Sequence, residues 1–229
     1  VPPDLAALGG STHQHLGGYY GMVKRLDEAY GRLQDALKSL ALDSDTIVLF
    51  TADHGCHFKT GNSEHKRSCH ESSIRVPTVF SGPGFCGGGH LQRLVSLIDL
   101  PPTLLDAAGL GVPEQMQGCS LMPLLRGGDD DWPEEVFIQI SEAQVGRAVR
   151  TRRWKYGVDA PEVQGRDVMG SDEYQEQDLY DLQVDPYELN NLIGLESHRE
   201  VALIMKDRLL RRMENAGEFP PRIVAAPDR

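Results

Sequence analysis

The feature that most constrains the fold is an apolar, β-branched run, Thr46-Ile47-Val48-Leu49-Phe50-Thr51, which leads directly into Ala52-Asp53-His54-Gly55. A run without polar alternation suits a strand covered on both faces, as in a parallel sheet. Upstream of it Tyr19, Val23, Leu26, Tyr30, Leu33, Leu37 and Leu40 recur at alternating steps of four and three. That spacing predicts a helix laying one stripe on a core, with Lys24, Arg25, Asp27, Glu28 and Asp35 on the other face. Helix, Asp43-Ser44-Asp45 turn and buried strand together predict an α/β layer architecture.

Downstream, residues 52–73 lack any period and read as a long loop at the C-terminal end of the strand, where open α/β sheets bind ligands. Arg75–Phe80 and Leu94–Leu97 are expected to be further strands. A helix opened by Pro101 and Pro102 follows, since proline is tolerated in the first turn. The run Gly127-Gly128-Asp129-Asp130-Asp131 is the expected boundary between an α/β portion, 1–130, and an α+β subdomain, 131–229. In the second part, strands are expected at Val136–Ile140, Arg147–Arg150, Trp154–Val158 and Leu179–Leu182. An acidic surface loop is expected over 159–178, and a closing amphipathic helix carries Val201, Ile204, Met205 and Leu209.

The formal net charge of -11 argues against a nucleic-acid partner, whose phosphates call for a basic face. No apolar stretch approaches the roughly 18 residues of a membrane span. The spacing of Cys56, Cys69, Cys86 and Cys119 fits no disulfide framework, so these are read as thiols. The chain opens on Val1 with no signal-peptide pattern, which reads as a piece of something longer; the compartment is not legible, and a homo-oligomer remains open.

Against that acidic background, five of the eight histidines (His54, His57, His65, His70 and His90) fall within residues 54–90, with Lys59, Lys66 and Arg67 among them. A local cationic loop in an anionic chain suits an anionic substrate, although a solvated surface loop has the same composition. Asp53 and His54 leave the strand side by side, a carboxylate and an imidazole of the kind that a hard divalent ion accepts; a turn cap and an exposed histidine are the plainer reading. Zinc on Cys56-His57 and Cys69-His70 is disfavoured, because paired zinc ligands are normally separated by two or more residues.

These segments resemble the type I sulfatases of the alkaline-phosphatase-like superfamily. Ile47 to Gly55 is similar to their strand-and-metal motif. Glu71-Ser72-Ser73-Ile74-Arg75-Val76-Pro77, the Gly82-Pro83-Gly84 turn, Val95 to Leu105 and Gln117 to Leu121 resemble the blocks that follow it in order. Leu179-Tyr180-Asp181-Leu182, Asp185-Pro186, Glu188 and Asn191-Leu192 look like their C-terminal signature. The resemblance runs from about residue 17 to 213.

The resemblance implies a mixed sheet sandwiched by helices, present here in part, with a small C-terminal subdomain built on a short antiparallel sheet. It implies a sulfuric ester hydrolase in which Asp53 and His54 hold a calcium or magnesium ion. Lys66 contacts a sulfate oxygen and acts in catalysis, and His57, His65 and His70 line the substrate pocket. The family's nucleophile, a formylglycine made from Cys or Ser in a Cys/Ser-x-Pro/Ala-x-Arg motif, has no counterpart around any of the four cysteines. Its place is expected in an N-terminal half, which would then be this chain's partner. A phosphonate or phosphate ester hydrolase of the same superfamily, or a non-catalytic binding module, are the alternatives.

Overall fold

The computed structural model describes residues 6–128, 132–227 and 229, except for the side chains of residues 12 and 13. Helix α1 spans Thr12–Ser39 and a 3-10 turn at Asp43–Asp45 leads to strand β1, Val48–Phe50. After the long loop come α2 (Glu71–Ile74), β2 (Val79–Ser81), a 3-10 turn (Leu97–Asp99), α3 (Leu100–Ala107) and α4 (Met122–Leu125). The second part consists of β3 (Glu135–Ser141), β4 (Val145–Thr151), β5 (Trp154–Asp159), β6 (Glu173–Asp181), α5 (Arg199–Asn215) and β7 (Arg222–Val224). The expected boundary at Asp129–Asp131 lies outside the described residues.

The C-terminal sheet runs β3-β4-β5-β6-β7. Its strands are antiparallel except for the β6–β7 pair, which is parallel. Alternation gives it two buried faces of different character. Val145, Val149, Tyr156, Val158, Tyr174 and Leu179 pack against Ala202, Met205, Leu209 and Met213 of α5, spaced as one helical stripe. The opposite face carries Ala148 and Ile140, packed on Cys69 of the long loop, together with Arg150, Lys155, Asp178 and Tyr180. This face therefore supports the candidate site.

Several expectations about the first part are corrected. Strand β1 is shorter than the 46–51 run and, among the described residues, pairs only with β2, antiparallel, as Val48 with Ser81 and Phe50 with Val79. It is not the interior strand of a parallel sheet, because one neighbour cannot cover both of its edges. The stripe on α1 is not core either: Tyr19, Leu26 and Leu33 are 45%, 55% and 65% exposed. Its anchoring is local, with the Tyr30 ring 6.0 Å from Phe50 and Tyr19 5.4 Å from Phe58. The apolar periodicity was a correct signal for a helix and says nothing about whether the covering surface is present.

Residues 94–96 form no strand. Ser96 and Asp99 make a capping box, the N–H of Ser96 donating to Asp99 Oδ2 at 2.7 Å. The N–H of Cys119 donates to Asp99 Oδ1 at 2.8 Å, and Leu121 N–H to Thr103 Oγ1 at 2.9 Å. Two sequence blocks thus meet around one buried carboxylate. In the second part, the expected loop 159–178 gives up its last residues to β6, which begins at Glu173. Glu173, Gln175, Glu176 and Gln177 make that strand polar, so its charge masked its period. Strand β7 was not anticipated, being only three residues long.

Candidate active site

The chain leaves β1 through Asp53 and His54 and turns at Gly55. A side chain at position 55 would collide with the Ser72 carbonyl oxygen, so glycine is required for loop and α2 to approach; the N–H of Gly55 donates to Ser73 O at 2.7 Å. His54 Nδ1 lies 2.8 Å from the Gly55 carbonyl oxygen. A carbonyl can only accept, so Nδ1 carries the proton and the lone pair is on Nε2. Lys66 Nζ stands 2.7 Å from that nitrogen and Asp53 Oδ2 stands 3.3 Å from it. The Asp53 side chain is 84% exposed, with Oδ1 accepting the His54 N–H at 2.9 Å. A carboxylate, an imidazole lone pair and an ammonium thus converge on one solvent-facing point, across twelve residues of loop.

Below them, His57 is fully buried. Its Nε2 faces the Lys66 carbonyl oxygen at 3.2 Å and its Nδ1 accepts the Gly61 N–H at 3.3 Å. One nitrogen donates and the other accepts, which only the neutral ring can do. Of the histidines expected to line a substrate pocket, this one has its ring sealed inside the loop. Burial lowers its pKa from 6.5. In the unfolded chain the ring takes up a proton more readily, so its contribution to stability is present above about pH 6.5 and is lost as pH falls below it. His57→Gln, which keeps a donor and an acceptor, should therefore flatten the decline in melting temperature between about pH 7 and 5 relative to wild type. Parallel slopes for the two proteins would show that the ring is not held neutral.

His65 lies at the surface of the loop, its ring 5.2 Å from His15 and 6.4 Å from Phe58. With His54, Lys59, Lys66 and Arg67 it borders a shallow open depression. His70 does not border it. Its ring lines a separate cavity of about 270 Å³ with Ser68, Asp178, Tyr180 and Glu188, Nδ1 being 3.1 Å from Ser68 Oγ and Nε2 3.4 Å from Tyr180 Oη.

Asp53 and His54 present one oxygen edge and one nitrogen lone pair, a donor set that fits one side of a hard divalent ion. The Nδ1–H bond to Gly55 O is the kind of orienting contact that ligating histidines make. No group of three or more His, Cys, Asp or Glu residues able to enclose an ion occurs among the described residues. All four cysteines are free, and burial pushes the Cys69 thiol up to about 12, which removes it as a thiolate ligand.

Comparison with known proteins places the chain in a family. A family model described as "Sulfatase" matches residues 4–110, and one described as "N-sulphoglucosamine sulphohydrolase, C-terminal" matches residues 63–215. The chain belongs to the sulfatase family. It is 32% identical over 186 residues to mouse arylsulfatase K, covering 76% of this chain and 32% of that protein. A putative sulfatase from Bacteroides fragilis superposes with a TM-score of 0.72 at 27% identity, over 87% of this chain and 42% of its own. A phosphonate monoester hydrolase from Agrobacterium radiobacter superposes at 0.69 with 27% identity, over 86% and 40%. The fold is thus the alkaline-phosphatase-like sulfatase fold, and the chain spans about a third of the length of the curated sulfatases it matches.

In this sulfatase chain the residues that sequence reasoning missed lie under the loop. Glu71 accepts from Arg150 Nε and Nη2 at 3.3 and 3.1 Å, and Lys155 Nζ is 3.6 Å from it. Lys155, only 1% exposed, also pairs with Glu188, whose Oε2 accepts the Glu71 N–H at 2.7 Å. In sequence, Lys155 stands with Arg152 and Arg153 in a basic cluster that reads as a solvated face. The loop covers Lys155. Arg152 and Arg153 stay exposed, and Arg153 pairs with Asp181 at 2.7 Å.

Proposed function

We propose that this chain is the C-terminal half of a sulfuric ester hydrolase and supplies its metal- and sulfate-facing residues. The observation that carries the reading is the convergence of Asp53, the Nε2 lone pair of His54 and the Lys66 ammonium on one exposed point. Asp53 and His54 would hold a calcium or magnesium ion, which when bound supplies Lewis-acid polarisation of sulfate oxygens. An ion on the Nε2 lone pair would take the place of the Lys66 ammonium there, and Lys66 also lines the depression. There its positive charge stabilises the negative charge that grows on the ester as the S–O bond breaks. His65, on the rim, is placed to contact the ester's non-reacting part; His57 instead fixes the loop. The nucleophile, a formylglycine, and the remaining ion ligands belong to a segment outside these 229 residues, the N-terminal half of the same enzyme. That half is also the reading given to the exposed apolar stripe of α1 and the open edge of β1.

The superposition with a phosphonate monoester hydrolase favours one competing reading, hydrolysis of phosphonate esters on the same scaffold. Steady-state kinetics of the full-length protein on an aryl sulfate and the matching aryl phosphonate separate the two. We expect kcat/KM to favour the sulfate by at least about tenfold, or about 1.4 kcal/mol in the barrier. A reversed preference would move the assignment to the phosphonate ester hydrolases.

A further inference from the structure

The lysine's loop is held at its base by hydrogen bonds and ion pairs outside the Asp53–His54–Lys66 point. The Lys66 carbonyl oxygen receives two donors, His57 Nε2 at 3.2 Å and Asn62 Nδ2 at 3.3 Å, and Asn62 Nδ2 also reaches Arg67 O at 3.0 Å. Arg67 takes a left-handed backbone, φ 63°, which a non-glycine residue adopts at a cost. Its guanidinium meets two carboxylates. Nη1 meets Glu64 at 2.6 Å within the loop, while Nε and Nη2 form a bidentate fork on Glu142 at 2.8 and 2.7 Å. Glu142 lies 75 residues away in the turn between β3 and β4.

From this we infer that Arg67 and Glu142 are a positioning pair: the β3–β4 turn of the C-terminal sheet fixes the orientation of Lys66 through the bidentate ion pair. The inference rests on the reading of Lys66 given above. Bidentate arginine–carboxylate pairs fix geometry as well as energy, and placement errors of about an ångström cost rate out of proportion to stability. The Glu142 side chain is 67% exposed, so removing its charge leaves no buried group orphaned. A surface pair of this kind contributes little to folding. The effect belongs in kcat.

The test is a double-mutant cycle in the full-length protein, measuring kcat, KM and melting temperature on an aryl sulfate. Glu142→Gln is expected to lower kcat by roughly tenfold, within the range set by misplacement, with KM and melting temperature unchanged. Glu142→Asp, which keeps the charge on a shorter arm, should recover part of that loss. In a Lys66→Ala background, Glu142→Gln should cost nothing further, because the group it positions is gone. Wild-type kcat in Glu142→Gln, a loss that appears only in KM or melting temperature, or an undiminished loss in the Lys66→Ala background would each overturn the pair. If Lys66→Ala itself keeps full activity, the reading of the lysine fails first, and that outcome is distinct from all three.

Discussion

Asp53→Ala in the full-length sulfatase should abolish most divalent-ion affinity, and Lys66→Ala should leave affinity nearly intact while lowering kcat by about 100- to 1000-fold. The two separate because they sit on different sides of one event. Asp53 offers an anionic oxygen on a side chain that is 84% exposed. A hard cation binds through such oxygens, and no group of three or more His, Cys, Asp or Glu residues able to enclose an ion occurs among the described residues to replace it. Lys66 carries the opposite sign; under the proposed reading it would repel an ion and act on charge that grows in the transition state. Added calcium or magnesium should therefore partly rescue Asp53→Ala and leave Lys66→Ala unrescued. Calorimetric titration of the ion alongside steady-state kinetics reads both. Wild-type kcat in Lys66→Ala would shift the role to Lys59, the other lysine on the depression.

The candidate site was nameable in sequence because its residues are close in the chain, although the choice of Lys66 over Lys59 came from the family resemblance. Asp53, His54 and Lys66 lie within one loop, and the strand that precedes them is marked by its apolar run. Motif blocks distant in sequence touch in the fold: the Glu71 N–H donates to Glu188 at 2.7 Å, and Asp99 joins two more blocks through Cys119. What stayed illegible depends on long-range placement. Sequence alone could not separate His57, sealed under Lys66, from His65 on the rim, since both are histidines in one polar loop. It gave no sign that Lys155 is buried, because burial of that face depends on a loop about ninety residues earlier. It assigned the α1 stripe to a core, because periodicity reports a face and not its cover.

The second large effect is on folding. Lys155, Arg150, Glu71 and Glu188 form two cations and two carboxylates beneath the loop. Burial pushes the Glu71 carboxyl up, but Lys155 and Arg150 outweigh it and hold the group below its ordinary value. For Glu188 burial prevails over Lys155, and the carboxyl is raised. The cluster is close to neutral as a whole, so its stability depends on having every member. Lys155→Met keeps the aliphatic stem and removes the charge, leaving Glu188, 5% exposed, without its partner. Breaking a buried pair in this way costs about 3–5 kcal/mol, which lowers the melting temperature. Pairing it with Glu188→Gln should be milder than Lys155→Met alone, since the double variant strands no charge. The sign of that coupling is the decisive reading in thermal denaturation of the full-length protein. A double variant that loses at least the sum of the two single losses would mean that the four groups act separately, and that loop and sheet are held together by packing around Cys69, Ile140 and Ala148 rather than by charge.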